Sequence, residues 1–175
     1  MRGWQALITG TLGCLVLATR AADVRVAPLA DLAVGIVGIA GAVPAAPDGS
    51  PTWPRWGAVS AIGVSAFAAG RLLMPVHAPG VPLSTWGIVV LMMASVAEEA
   101  FFRRWVYGQL AALGTTTALL GSSVAFAIVH VPAYGLRALP VDFAAGLLFG
   151  WQRLATGGWT ASAVTHMAAN LLQIG

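Results

Sequence analysis

Six polar side chains stand in otherwise apolar surroundings: Glu98, Glu99, Arg103, His130, His166 and Asn170. Near the centre of a membrane helix an ionised residue costs about 2.5–3.5 kcal/mol on insertion scales, so such groups need partners or a water-filled cavity. Glu99 and Arg103 are four apart with the acid first, the better orientation for an ion pair on one helical face. Glu98 projects about 100° away. Crowded by a second acid in a poorly solvated place, it suits general-base work. His130 closes the apolar run Ser123 to Val131, and His166 and Asn170 project from one helical face a turn apart.

Each feature alone has a plain structural reading. The charges can mark the end of a span, with Arg104 reaching toward headgroups. His130 can bond backbone, and His166 with Asn170 can act as interhelical glue worth about 0.6 kcal/mol each. Together they form a set for amide hydrolysis. Glu98 would take a proton from a water held by His130. His166 and Asn170 would donate to the oxyanion of the tetrahedral intermediate, where losing one donor lowers the rate by about 10²–10³.

The rest of the chain must hold these groups within lipid. Of its 175 residues 58% are hydrophobic and 9% charged, against about 25% charged in ordinary globular chains, and the mean hydropathy is +0.83. The expected fold is all-α: a polytopic transmembrane helical bundle in a single integral membrane domain over 1–175. The nine basic residues are all Arg and are scattered, giving a net charge of +3 without basic runs, so no nucleic-acid partner is expected. One cysteine, Cys14, excludes an intrachain disulfide framework and a multi-cysteine metal site.

Seven apolar segments are expected, at about 4–18, 26–43, 56–74, 83–110, 113–131, 141–154 and 159–174. The first is read as a retained helix, since no small-x-small cleavage site follows it. Prolines and glycines make loops of 45–54 and of 75–82, the latter containing His77. Gly70 and Arg71 interrupt the third segment. The seven tryptophans mostly fall near segment ends, as interfacial anchors do. Asp142 starts a helix and suits its N-terminal dipole; Asp31, inside the second segment, has no role legible in the sequence. Arginines fall on both sides of the alternating topology, so loop charge does not orient the chain.

Three motifs sit on separate segments: Glu98-Glu99-Ala100-Phe101-Phe102-Arg103, Phe126-Ala127-Ile128-Val129-His130 and His166-Met167-Ala168-Ala169-Asn170. Their pattern, EExxxR, FxxxH and HxxxN in that order, resembles the CPBP family of CAAX prenyl endopeptidases and Abi-type bacteriocin-processing intramembrane proteases. The likeness covers about residues 95–170, with a protease core at about 83–175 and N-terminal membrane segments at about 4–74. The stretch GLLFGWQRLATGGWTASAVTHMAANLL is similar to the last two core helices of that family, with Gly146 and Gly150 in a GxxxG spacing.

The resemblance implies a helical bundle around a cavity open toward the membrane. It also implies Glu98 as the water-activating acid, His130 as its partner, His166 and Asn170 as oxyanion donors, and Glu99 with Arg103 as a supporting ion pair. No cofactor is implied. The partners would be the bilayer and a membrane-associated protein or peptide substrate. Two departures are Arg104, where relatives commonly carry Gly, and the end of the sequence five residues beyond Asn170.

Rival readings use the same residues. Glu98, His130 and His166 make an alternative zinc ligand set, although no HExxH motif is present. Ser65 lacks the second glycine of a serine nucleophile elbow. A proton-relay or transporter-like role would use buried Glu and His equally well, and the family resemblance also implies a non-proteolytic immunity or scaffold role as an alternative. Abundant Ala, Gly and Arg without Lys point to a bacterial plasma membrane.

Overall fold

Backbone N–H and C=O groups in hydrocarbon must be bonded within their own segment, which makes helices of the apolar stretches. The computed structural model describes residues 3–19, 27–41, 43, 52–73 and 84–172. It contains α1 (Gly3–Thr19), α2 (Ala27–Ala40), α3 (Trp53–Leu73), α4 (Thr85–Leu113), α5 (Thr115–Tyr134), α6 (Leu139–Thr156) and α7 (Thr160–Leu172). No strand occurs among the described residues. The protein is an all-α bundle, and α3, α4 and α5 are each long and apolar enough to cross a membrane.

Each expected segment contains one helix, with instructive differences at the edges. The 45–54 loop ends earlier than expected, because α3 begins at Trp53 with Pro54 as its second residue. Proline is tolerated there, since its missing N–H would have no helical partner. Gly70 and Arg71 do not interrupt α3. Arg71 instead donates from Nε to the Leu172 carbonyl at the end of α7 (3.2 Å), a use of a cation that suits a helix C-terminus. Helix α5 runs through Pro132 to Tyr134, and Asp142 falls in the first turn of α6 as expected. The 75–82 loop and His77 lie outside the described residues.

The largest difference is inside α4. Regular α geometry holds for Thr85–Glu99, then Ala100–Val106 forms a π-helix before α-helical Tyr107–Leu110 and a final 3₁₀ turn. A π turn widens the helix and shifts its hydrogen-bond ladder, and such turns often mark functional sites. Here the shift begins immediately after Glu98 and Glu99.

Helix α4 packs against α2, α5 and α7, while α3 lies against α6 and α7, and α1 against α2 and α5. The core is an aromatic cluster of Phe101, Phe102, Trp105, Phe126 and Phe149, closed by Leu17 and Val34 from the first two helices. Trp105 is therefore a core residue, unlike the exposed Trp4, Trp53 and Trp86 near helix starts. Close approach requires small residues. A Cβ on Gly38 of α2 would lie 2.5 Å from the Ala100 carbonyl carbon, and one on Gly146 of α6 would lie 3.0 Å from Ser123 Cα on α5. The GxxxG reading of Gly146 and Gly150 thus corresponds to an α5–α6 contact. Asp31 is buried in α2 and borders an apolar groove of about 480 Å³ between α2 and α4.

Candidate active site

Glu98 and Glu99 close the first α-helical part of α4, and adjacent positions on a helix diverge by about 100°. They consequently reach different neighbours. Glu98 Oε2 lies 3.4 Å from His130 Nε2 on α5, while Glu99 Oε1 lies 3.0 Å from His166 Nδ1 on α7. Both acids and both imidazoles are buried.

A carbonyl can only accept, so the 2.7 Å contact between His130 Nδ1 and the Phe126 carbonyl makes Nδ1 the donor. The other ring nitrogen, Nε2, then faces Glu98. That bond spans one helical turn and uses the first residue of the FxxxH motif, so the motif's spacing serves the tautomer as well as the fold. The Tyr134 ring stacks on His130 at 5.9 Å between centroids.

Glu99 is shared. Its Oε2 lies 3.3 Å from Arg103 Nε, and both side chains are fully buried. The guanidinium of Arg103 sits over the rings of Phe126 at 4.6 Å and Phe149 at 5.3 Å, cation–π contacts that gain strength when water is excluded. Phe149 also stacks on His166 at 5.0 Å, and Phe126 meets the same imidazole edge to face at 5.7 Å. Two phenylalanines therefore hold both the arginine and the histidine that flank Glu99.

Asn170 lies one turn beyond His166 on α7 and donates from Nδ2 to Ser95 Oγ on α4 at 2.9 Å. Thus α5 and α7 deliver His130, His166 and Asn170 to the stretch of α4 that carries Ser95, Glu98 and Glu99.

His130 pairs with Glu98 and His166 with Glu99, and among the described residues no three His, Cys, Asp or Glu side chains are arranged to hold a metal ion.

Three contributors carry no motif signal. Ser95 has only its four-residue spacing from Glu99 to suggest it, and Phe149 is one apolar residue among many in α6. Arg153 of α6 donates from Nε to the Arg103 carbonyl at 3.0 Å, inside the π segment, and its guanidinium also bonds the Gly157 carbonyl. Its presence in an apolar helix is the one sequence clue, since a cation there needs buried acceptors. Arg104, the departure from the family pattern, donates from Nη1 to the Gly38 and Gly41 carbonyls at 2.7 and 3.0 Å. It caps α2 against α4.

Neither the curated proteins nor the solved structures compared with this chain gave a match. Among protein families, residues 80–172 match the one described as type II CAAX prenyl endopeptidase Rce1-like. The match includes all three motifs and extends over more than half of the chain. Taken with the apolar helices that carry those motifs, it identifies an integral membrane protein that belongs to the Rce1-like type II CAAX prenyl endopeptidases, a family of intramembrane proteases.

Proposed function

We propose that this protein hydrolyses peptide bonds of membrane-associated proteins or peptides, using a water activated by Glu98, in a bacterial plasma membrane. The observation that carries the reading is the buried apposition of Glu98 Oε2 and His130 Nε2 at 3.4 Å. With Nδ1–H donated to the Phe126 carbonyl, the Nε2 lone pair can accept from the same water whose other proton passes to Glu98. The water oxygen bonds to the substrate carbonyl carbon, and the carbonyl electrons move to its oxygen.

That oxyanion would take hydrogen bonds from His166 Nε2 and Asn170 Nδ2. His166 Nδ1 faces Glu99 Oε1 at 3.0 Å, which leaves Nε2 as the ring nitrogen turned to the oxyanion. Arg103 keeps the same carboxylate paired from the other side. Collapse of the intermediate breaks the C–N bond, and the proton held by Glu98 goes to the departing amine. The water and the peptide bond are consumed, and an acid and an amine result.

The test uses purified protein in detergent micelles and fluorogenic peptides with and without an attached isoprenyl chain. Glu98→Gln is expected to lower kcat by about 10²–10⁴, the usual contribution of a positioned base. Asn170→Ala is expected to lower it by about 10²–10³. Cleavage by Glu98→Gln equal to wild type would remove the glutamate mechanism. Chelation followed by zinc addition is the second arm, and loss and recovery of activity would favour a metal-dependent reaction. A dependence on the isoprenyl chain would define the substrate class.

A further inference from the structure

We infer that Ser95 is a positioning residue that fixes the Asn170 carboxamide, turning one of its two N–H groups to α4 and leaving the other for the substrate carbonyl oxygen. The second half rests on the proposed role of Asn170 as an oxyanion donor; the orientation itself does not.

The argument starts from proton counting. Ser95 is fully buried, and its Oγ lies 3.0 Å from the Leu91 carbonyl and 2.9 Å from Asn170 Nδ2. A hydroxyl has one proton, and a carbonyl can only accept. The proton of Ser95 therefore goes to Leu91, and Oγ must accept from its other neighbour. Only the nitrogen of the Asn170 carboxamide can supply that proton. The serine thus settles which end of the amide faces α4, a choice that a carboxamide's shape leaves open.

Position along the helices gives the contact its meaning. Ser95 and Glu99 are four apart on α4, and His166 and Asn170 are four apart on α7, so each pair shares a helical face. Ser95 bonds Asn170 and Glu99 bonds His166, making two rungs between antiparallel helices one turn apart. The rungs hold the two proposed oxyanion donors in register with each other. Glu98 lies three residues from Ser95 on the same helix, which keeps the carboxamide within a turn of the proposed base.

Asn170 is the single asparagine in the chain, so protein labelled with ¹⁵N-asparagine has one pair of side-chain carboxamide resonances. In micelles the two Nδ2 protons of the wild type are expected to exchange with solvent unequally, the bonded one slower by about tenfold or more. Equal, fast exchange of both would overturn the inference without any variant. Ser95→Ala is expected to abolish the difference, and Ser95→Thr, which keeps the hydroxyl, to retain it. An unchanged pair in folded Ser95→Ala would also overturn the inference.

Turnover separates the two halves. Ser95→Ala is expected to lower kcat by about 10–100-fold at unchanged KM, a part of the loss typical of a missing oxyanion donor. It is expected to add nothing in an Asn170→Ala background. A carboxamide pair that responds while kcat does not would leave the orientation standing and overturn the oxyanion role.

Discussion

Arg103 is a fully buried guanidinium with a fully buried carboxylate at 3.3 Å and aromatic rings over its face. A buried ion pair gains little over an apolar pair of the same shape, whereas removing one partner strands a charge at about 3–5 kcal/mol. Arg103→Met is therefore expected to destabilise the protein by about that amount, and the double variant Glu99→Gln/Arg103→Met to recover part of the loss. Unfolding in detergent, followed by helical circular dichroism with added denaturant, measures both. A double variant as unstable as the single would count against a stranded Glu99. The Glu99–Arg103 pair was legible in the sequence because both residues lie within one helical turn. The bond from Glu99 to His166 was not, since it joins residues 67 apart, and no periodicity within a segment reports which face meets which helix.

At the scale of elements, α2 meets the π segment of α4 backbone to backbone at Gly38. A methyl on Gly38 would meet the Ala100 carbonyl carbon and Phe101 nitrogen, both at 2.5 Å and both backbone, whereas one on Gly70 of α3 meets nothing within 4 Å. Gly38→Ala is expected to destabilise by about 1–3 kcal/mol, as overpacking does. Gly70→Ala is expected to stabilise by about 0.5–1 kcal/mol through backbone entropy. Equal effects in the same unfolding measurement would contradict the close α2–α4 approach. Arg104→Ala removes the bonds to the carbonyls of Gly38 in α2 and of Gly41 just beyond it, for an expected loss of about 1.5–3 kcal/mol per charged hydrogen bond at most. Amide hydrogen exchange is then expected to rise first at the C-terminal end of α2; protection unchanged there would refute the cap. The helices themselves could be read from hydropathy, including their approximate ends. The π segment could not, because AFFRRWV has no composition that distinguishes a π turn from an α turn; the Arg103 carbonyl within it is met by Arg153, fifty residues away.

Across the whole molecule, one side of each outer helix faces away from the bundle. Leu120, Val124 and Ile128 of α5 repeat every four residues and are 44%, 45% and 57% exposed, while neighbouring Ser122 and Ser123 are fully buried. The apolar stripe is turned outward and the polar stripe toward protein, the arrangement expected where hydrocarbon replaces water as solvent. Val124→Arg is expected to add about 2.5–3.5 kcal/mol to insertion near a helix centre, with Val124→Leu neutral. The fraction of protein retained in alkali-washed membranes measures this, and equal retention of the two variants would contradict a lipid-facing stripe. Helices α1 and α2 lie outside the family match, yet Leu17 and Val34 join the aromatic core beside Phe101. They buttress the helix that carries both acids.

Hydropathy and spacing alone determined an all-α membrane protein, its helical segments, and six polar residues that lipid would not tolerate without partners. The partners themselves were decided only in three dimensions. Adjacent acids on a helix point to different sides, so Glu98 reached His130 on α5 and Glu99 reached His166 on α7. Trp105 likewise looked like an interfacial anchor and became core, because the helix bearing it is surrounded by α2, α5 and α7. Local sequence fixes each helix through bonds within a few residues, whereas its rotation about its own axis is set by packing against chain that lies far away in sequence.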